Sequence, residues 1–421
     1  MVVIKRFASI IFVVAAMAAS AHSLVDTSTQ VFDSSFKSLK VAVEGNDYVA
    51  PVVLLGGDSR IRVEFDQISP EMQYLRYSVM HCDADWQPSM LVDSEYVDGF
   101  NEAEITDYAY SSGTLVNYVH YALTLPNDDI SPTISGNYLL KVYPENEPDN
   151  VCLQVRFSLY EDKVGVVPAV TSRTDIDYNK SHQQLSVEVD TRNYAVDNMY
   201  QDLKVRVVQN GRTDNLVAVN QPQRVASRRA FFEHNRSLIF PAGNEYRRFE
   251  AVTTNYHGIG VDYYQFNEPY YHVVLKVDEP RAYDSYTYDR TQFGRFTIRQ
   301  SDVDRSDTQA EYMVAHFALA MPELQNGDMY VVGEFTQDRC NPANRMYYNH
   351  NEQRYEAEML VKMGSYNYQY FWVADGGKPN PAVVEGDFYQ TVNEYTVYVY
   401  HRPAGCRYDR LVGFTTIFSG N

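Results

Sequence analysis

Residues 185–190 read Leu-Ser-Val-Glu-Val-Asp, apolar and polar side chains in strict alternation. Successive side chains on a strand point to opposite faces, so Leu185, Val187 and Val189 share a dry face and Ser186, Glu188 and Asp190 a wet one. Working outward, Leu203 to Val208 runs into Asn210-Gly211. That dipeptide best supplies two consecutive positive φ angles, and Leu216 to Val219 reads as the returning strand of a hairpin. Gly136-Asn137 leads into Tyr138 to Tyr143, which Pro144 ends, and Tyr395 to Tyr400 alternates through Val397 and Val399. Turn-rich breaks at Pro144 to Asn150, Asp278 to Pro280 and Asp375 to Pro381 separate such runs, and helical periodicity does not recur. Short strands with no alternating helices predict an all-β chain of tandem β-sandwich domains rather than a parallel α/β sheet.

Composition agrees with that class. The 421 residues are 45% hydrophobic and 22% charged, ordinary globular material, and the 36 tyrosines against 2 tryptophans suit half-buried pleated surfaces. A formal charge of −19 disfavours phosphate backbones and sets nucleic acid aside as a partner. At the start, Lys5 and Arg6 precede the uncharged apolar run Phe7 to Ala19, and small residues follow. Residues 1–23 therefore read as a cleavable secretory signal, too short to span a bilayer and without a cysteine for a lipid anchor. Removing Lys5 and Arg6 takes the charge to −21 (34 basic minus 55 acidic). An exported protein with no membrane insertion of its own is expected.

Three units follow, each the size of a sandwich of seven or more strands. Residues 24–162 form the first, with Gly165 to Pro168 reading as a linker. The second is 163–305, closing in the polar stretch Gln300 to Thr308, and the third is 306–421. No fixed short period suggests a solenoid or propeller.

Candidate chemistry is sparse. Export permits disulfides among Cys82, Cys152, Cys340 and Cys406, with three pairings open and four small buried apolar residues as the competing reading. His81-Cys82-Asp83-Ala84-Asp85 gathers ligand types, yet neighbours on a strand face opposite ways and cannot converge on one ion. Glu385, Asp387 and Glu394 raise the carboxylate pair of a glycosidase, a spacing that an acidic chain also produces by chance. No Gly-x-Ser-x-Gly elbow, phosphate loop or dinucleotide fingerprint occurs, and Gly56-Gly57-Asp58-Ser59 reads as a turn. The expectation is no catalytic residue, no metal and no cofactor.

The run from Met329 to Phe335, with Gly364-Ser365-Tyr366-Asn367-Tyr368-Gln369-Tyr370, resembles early-set, glycogen-binding-like sandwiches. Those domains usually stack sugar on an exposed Trp. Here Thr336-Gln337-Asp338-Arg339 has none, and Trp372 lies on the later strand. A periplasmic or surface carbohydrate-binding protein is the alternative reading.

Longer strings point elsewhere. His-Cys-Asp-Ala-Asp-Trp-Gln-Pro-Ser at 81–89, Glu-Tyr-Val-Asp-Gly-Phe-Asn at 95–101 and Pro-Thr-Ile-Ser-Gly-Asn-Tyr at 132–138 resemble the first domain of the type IX secretion system plug protein family of Bacteroidota. Similar strings continue through Phe-Pro-Ala-Gly-Asn-Glu-Tyr-Arg-Arg-Phe at 240–249, Asp-Glu-Pro-Arg at 278–281 and Arg-Tyr-Asp-Arg-Leu at 407–411, so the likeness runs over nearly the whole mature chain. Cys152 departs from the pattern. The resemblance implies a non-enzymatic periplasmic protein of immunoglobulin-like, early-set sandwiches. It would dock on the periplasmic end of the giant outer-membrane β-barrel translocon and seal its pore when no cargo is present. A cargo protein of that pathway would carry its own C-terminal sorting domain, whereas here the strand Leu411 to Phe418 closes the last matching motif. Asp85, Trp86, Gln87, Tyr96, Phe100 and Asn101 are the candidate partner contacts, because aromatic side chains commonly anchor interfaces. The competing reading has them fasten the loop to its own sandwich.

Overall fold

A computed structural model describes residues 25–420, so the signal assigned to residues 1–23 lies outside the described residues. The chain is all-β, and its strands pair into three two-sheet sandwiches. In the first, one sheet orders Phe36–Val43, Ile61–Gln67, Val119–Leu125 and Asp107–Tyr110. The facing sheet centres on Leu153–Tyr160, Gly136–Pro144 and Leu75–Cys82. Alternation places Ile61, Val63 and Phe65 inward against Tyr77, Val79, Leu140 and Phe157. Gly136 sits at φ +146°, and a Cβ there would overlap the His81 imidazole packed beside it. Only glycine lets these two strands run together at that point.

The middle sandwich is discontinuous. Its first sheet joins Gly165–Thr171, His182–Asp190, Arg229–Phe232 and Arg224–Ala226. Its second orders Val217–Val219, Leu203–Gln209, Glu394–His401 and Arg410–Phe418. Leu203 opposes His401 and Gln209 opposes Tyr395, so the last two strands return to complete this domain. The third sandwich is inserted between, built on Arg247–Ala251, Gly364–Ala374, Gly327–Val332 and Phe296–Ile298, facing Val261–Asn267, Tyr270–Leu275, Tyr312–Leu319 and Arg354–Lys362.

This pairing departs from the expected boundaries at three points. Gly165–Thr171 is an edge strand rather than a linker, and its Pro168, opposite Val187, is tolerated because an edge leaves one side unpaired. The break at Gln300 to Thr308 is a loop within the third sandwich, since Phe296–Ile298 before it and Tyr312–Leu319 after it both belong there. The strands after 394 belong to the middle unit, not to a third running to 421. Asn210 and Gly211 do take positive φ (54° and 70°), yet the connection is wide. Gln209 and Asn210 stay bonded to the Glu394–His401 strand, which delays the return to Val217.

The three sandwiches are fastened by buried polar contacts. Between first and third, Lys362 Nζ lies 2.7 Å from Asp66 Oδ2, Tyr312 donates its hydroxyl to the same oxygen at 2.7 Å, and Glu311 accepts the backbone N–H groups of Leu115 and Val116. Between first and middle, the Asp409 carboxylate accepts from Ala84 N at 3.0 Å and from Lys204 Nζ at 2.8 Å, and Tyr400 donates to Asn137 Oδ1 at 2.8 Å. Middle and third share the bidentate pair of Arg295 with Glu394 (2.7 and 3.1 Å). Buried charges cost on the order of several kcal/mol each in lost hydration unless matched; Lys362 with Asp66 and Arg295 with Glu394 are matched across a domain boundary, while Asp409 meets Lys204 within the middle sandwich.

Candidate functional site

The loop after Leu75–Cys82 carries most of the predicted contact residues, and local chemistry shapes it. Asp83 accepts the backbone N–H of Asp85 at 2.9 Å and of Gln87 at 3.1 Å, and burial raises its carboxyl above the ordinary value. This turn forces Trp86 into the left-handed region at φ +61°, costly for a bulky residue. The surroundings hold it there. Trp86 is 9% exposed, the Arg156 guanidinium lies 4.4 Å over its ring, and Thr27 donates its hydroxyl to the Trp86 carbonyl at 2.7 Å. Asp85 reaches into the middle sandwich, where its Oδ1 accepts from Arg206 Nε and Nη2 at 3.0 and 2.8 Å. Gln87 meets the backbone of Val25.

Tyr96 and Asn101 are likewise turned inward. The Tyr96 hydroxyl donates to Asp93 Oδ1 at 2.5 Å, and Asn101 brackets Val79, accepting from its N–H at 2.8 Å and donating to its carbonyl at 2.6 Å. Of the six, Phe100 alone offers a large apolar side chain to solvent, at 88% exposed. Met90 and Val92, on the same loop, are 68% and 62% exposed and escaped sequence reading, because nothing in their spacing marks them. The structure therefore leaves Met90, Val92 and Phe100 as separate solvent-facing apolar side chains, while Trp86 packs with Cys82 and Leu139 on one face of the sheet and Tyr96 with Val79 in the core on the other.

The remaining candidates resolve locally. His81 is buried beside Ser135 and Tyr138, and burial lowers its pKa to about 4, so it stays neutral. Cys82 is buried and its thiol is pushed up to about 12. All four cysteines are unpaired. Cys82 opposes Asn137 while Cys152 lies level with Tyr143, six residues along the same strand, or ~20 Å at about 3.4 Å per residue. A disulfide needs Cα atoms within about 7 Å. Glu385 is fully buried, bound to Arg247 at 3.0 Å and Arg281 at 2.6 Å, and accepts Tyr370 N–H at 3.0 Å. Glu394 is held by Arg295, and Asp387 accepts Gly243 N–H at 2.8 Å. Each carboxylate is committed to the fold.

One cluster was missed. Glu64, His120 and Asp307 lie within metal-ligating reach of one another. Burial opposes a charge on His120, yet the Asp66 and Glu64 carboxylates outweigh it and raise its pKa to about 9. Arg62 lies 2.7 Å from Glu64 and His120 pairs with Asp66 and Glu64, so these side chains form an ion-pair network on the first sandwich, with Asp307 of the third beside it.

Residues 36–161, the first sandwich, match the family described as "Type 9 secretion system plug protein 1st domain". A crystal structure of a hypothetical protein from Parabacteroides merdae is similar over 94% of this chain and 100% of its own, at 42% identity and a TM-score of 0.92. Native α-2-macroglobulin from Escherichia coli aligns at 9% identity over 46% of this chain and 95% of its own, with a TM-score of 0.15 that carries no structural weight. No curated protein matches.

Proposed function

The chain belongs to the type IX secretion system plug protein family, and from that premise we propose that it is a non-enzymatic periplasmic plug for the secretion translocon. Its role lies in type IX secretion. In the reading proposed here it docks on the periplasmic end of the outer-membrane barrel and occludes the pore while no cargo is present.

The observation that carries this reading is the fastening of three sandwiches into one body. Occlusion asks a protein to resist deformation, not to perform chemistry. Domains joined by buried ion pairs such as Lys362–Asp66 and Arg295–Glu394 resist bending at their junctions. The exposed side chains of Met90, Val92 and Phe100 supply apolar contact on the family-defining domain. A formal charge of −19 keeps the free protein soluble between engagements. Reversible sealing needs an interface of ordinary extent, about 1,200–2,000 Å² in total.

The carbohydrate-binding alternative loses its platform. Trp372 packs in the core of the third sandwich with Tyr366, Tyr368 and Tyr370. Deleting the gene in the native host tests sealing: uptake of a large hydrophilic dye should rise while cargo export persists. Unchanged permeability overturns the occlusion reading.

A further inference from the structure

The three sandwiches leave a cavity of about 160 Å³ where they meet. A cavity of about 150 Å³ is enough to admit benzene, so this one has room for a small organic molecule. The first sandwich contributes Trp86 and Arg156 to its wall, the middle one Thr396 and Tyr398, and the third Asp338. Val49, Gly211 and Thr213, also on the lining, are exposed and form its mouth.

Arg206, Arg295 and Glu334 on its lining are paired with Asp85, Glu394 and the Phe296 N–H, but other polar groups there are not. Thr396 is 1% exposed, and its hydroxyl has no hydrogen-bond partner. Among the described residues the Tyr398 hydroxyl, two residues along the same strand face, also makes none. Arg156 donates Nε and Nη2 to Thr27 at 2.7 and 3.0 Å, but no described carboxylate lies in ion-pair reach, and burial lowers its pKa to about 10. On the opposite wall, Gln337 and Asp338 both take left-handed backbone angles (φ +55° and +54°). That strained pair holds an Asp338 carboxylate that accepts no hydrogen bond among the described residues. Burial, then Glu334, raises its pKa to about 7, against the pull of Arg212 and Arg295. An unsatisfied buried group costs about 1–3 kcal/mol, so the Thr396 hydroxyl marks a place that a polar ligand atom would complete.

An unpaired cation on one wall, an unpaired acid on the other and aromatic side chains between them complement one kind of molecule. We propose that this cavity binds a small zwitterion with an apolar body and separated charges, of the dipeptide class. Its carboxylate meets Arg156 and the Thr396 and Tyr398 hydroxyls, its ammonium meets Asp338, and its body lies along Trp86 and Leu216. Guanidinium binds carboxylate with paired donors, and Trp and Tyr rings supply apolar contact with a polar edge.

Titration calorimetry of the whole mature protein with glycyl-leucine tests this, with its N-acetyl and C-terminal amide forms as comparisons. Glycyl-leucine should bind, and each capped form at least tenfold more weakly. Asp338→Asn should erase the penalty for N-acetylation alone. Leu216→Trp, which fills the cavity and keeps every charge, should abolish binding while the circular dichroism spectrum stays unchanged. Absence of glycyl-leucine binding, equal binding of the capped forms, or binding that survives Leu216→Trp overturns the proposal. Each of those outcomes leaves the plug reading untouched.

Discussion

Lys362 on the third sandwich and Asp66 on the first form an ion pair at 2.7 Å with each side chain 1% exposed. Tyr312 and His120 complete the Asp66 oxygens at 2.7 Å, and the Lys362 ammonium lies 4.1 Å over the Tyr118 ring. Burial alone would depress the lysine, and Asp66 opposes that.

Breaking this pair from one side should be costly. Lys362→Met leaves Asp66 buried beside fewer donors, and a destabilisation of about 3–5 kcal/mol is expected. The double variant Asp66→Asn with Lys362→Met should recover part of that loss, because no lone charge remains. Urea unfolding of the single and double variants measures both, and a double variant as unstable as the sum of the singles would refute the coupling.

The His120 network sets a pH dependence. Its folded pKa, about 9, lies above the unfolded value of about 6.5. Its contribution is fully present below about pH 6.5 and is lost as pH rises through 9. The His81 site runs the other way: with a folded pKa near 4, it loses stability as pH falls from about 6.5 toward 4. His120→Gln should flatten the alkaline decline in urea midpoint between pH 6.5 and 9 and leave the acid decline intact.

Trp86 and Phe100 should separate stapling from docking. Trp86→Ala removes a buried ring and its contact with Arg156, and is expected to cost about 3–5 kcal/mol. Phe100→Ala touches an exposed side chain and should change stability by less than about 0.5 kcal/mol. If Phe100 is an anchor, its removal weakens partner capture at full stability. Equal stability losses for the two would place Phe100 in the fold instead.

The cysteines should behave as thiols in the folded protein. Alkylation of the native chain is expected to mark the partly accessible Cys340 and Cys406, and to reach Cys82 and Cys152 only after unfolding. Intact mass before and after reduction should be identical. A mass gain on reduction would show a disulfide that this geometry forbids for Cys82 with Cys152.

What was legible in the sequence was local. Alternation in Leu185 to Asp190 gave the strand and its inward face, because a one-residue slip would move every apolar side chain to the wrong side. Family-like strings placed the first sandwich. The discontinuous middle domain was not legible, since Leu203–Gln209 pairs with Glu394–His401 nearly two hundred residues later, and composition carries no trace of such pairing. Asp66 was missed for a related reason. On its own strand it alternates as a solvent-facing residue should, and only the docking of the third sandwich buries it. Trp86 and Tyr96 were legible as important but not as internal, because an anchoring ring and a stapling ring look alike until their neighbours are known.

The central claim is that this body engages the secretion translocon. Tagging the mature protein in its native host, extracting the outer membrane gently and identifying the cross-linked partners tests it most directly. The account predicts a very large outer-membrane β-barrel as the dominant partner, with cross-links on the first sandwich near Phe100. Recovery of the protein alone, with that barrel absent from the cross-linked fraction, would contradict it.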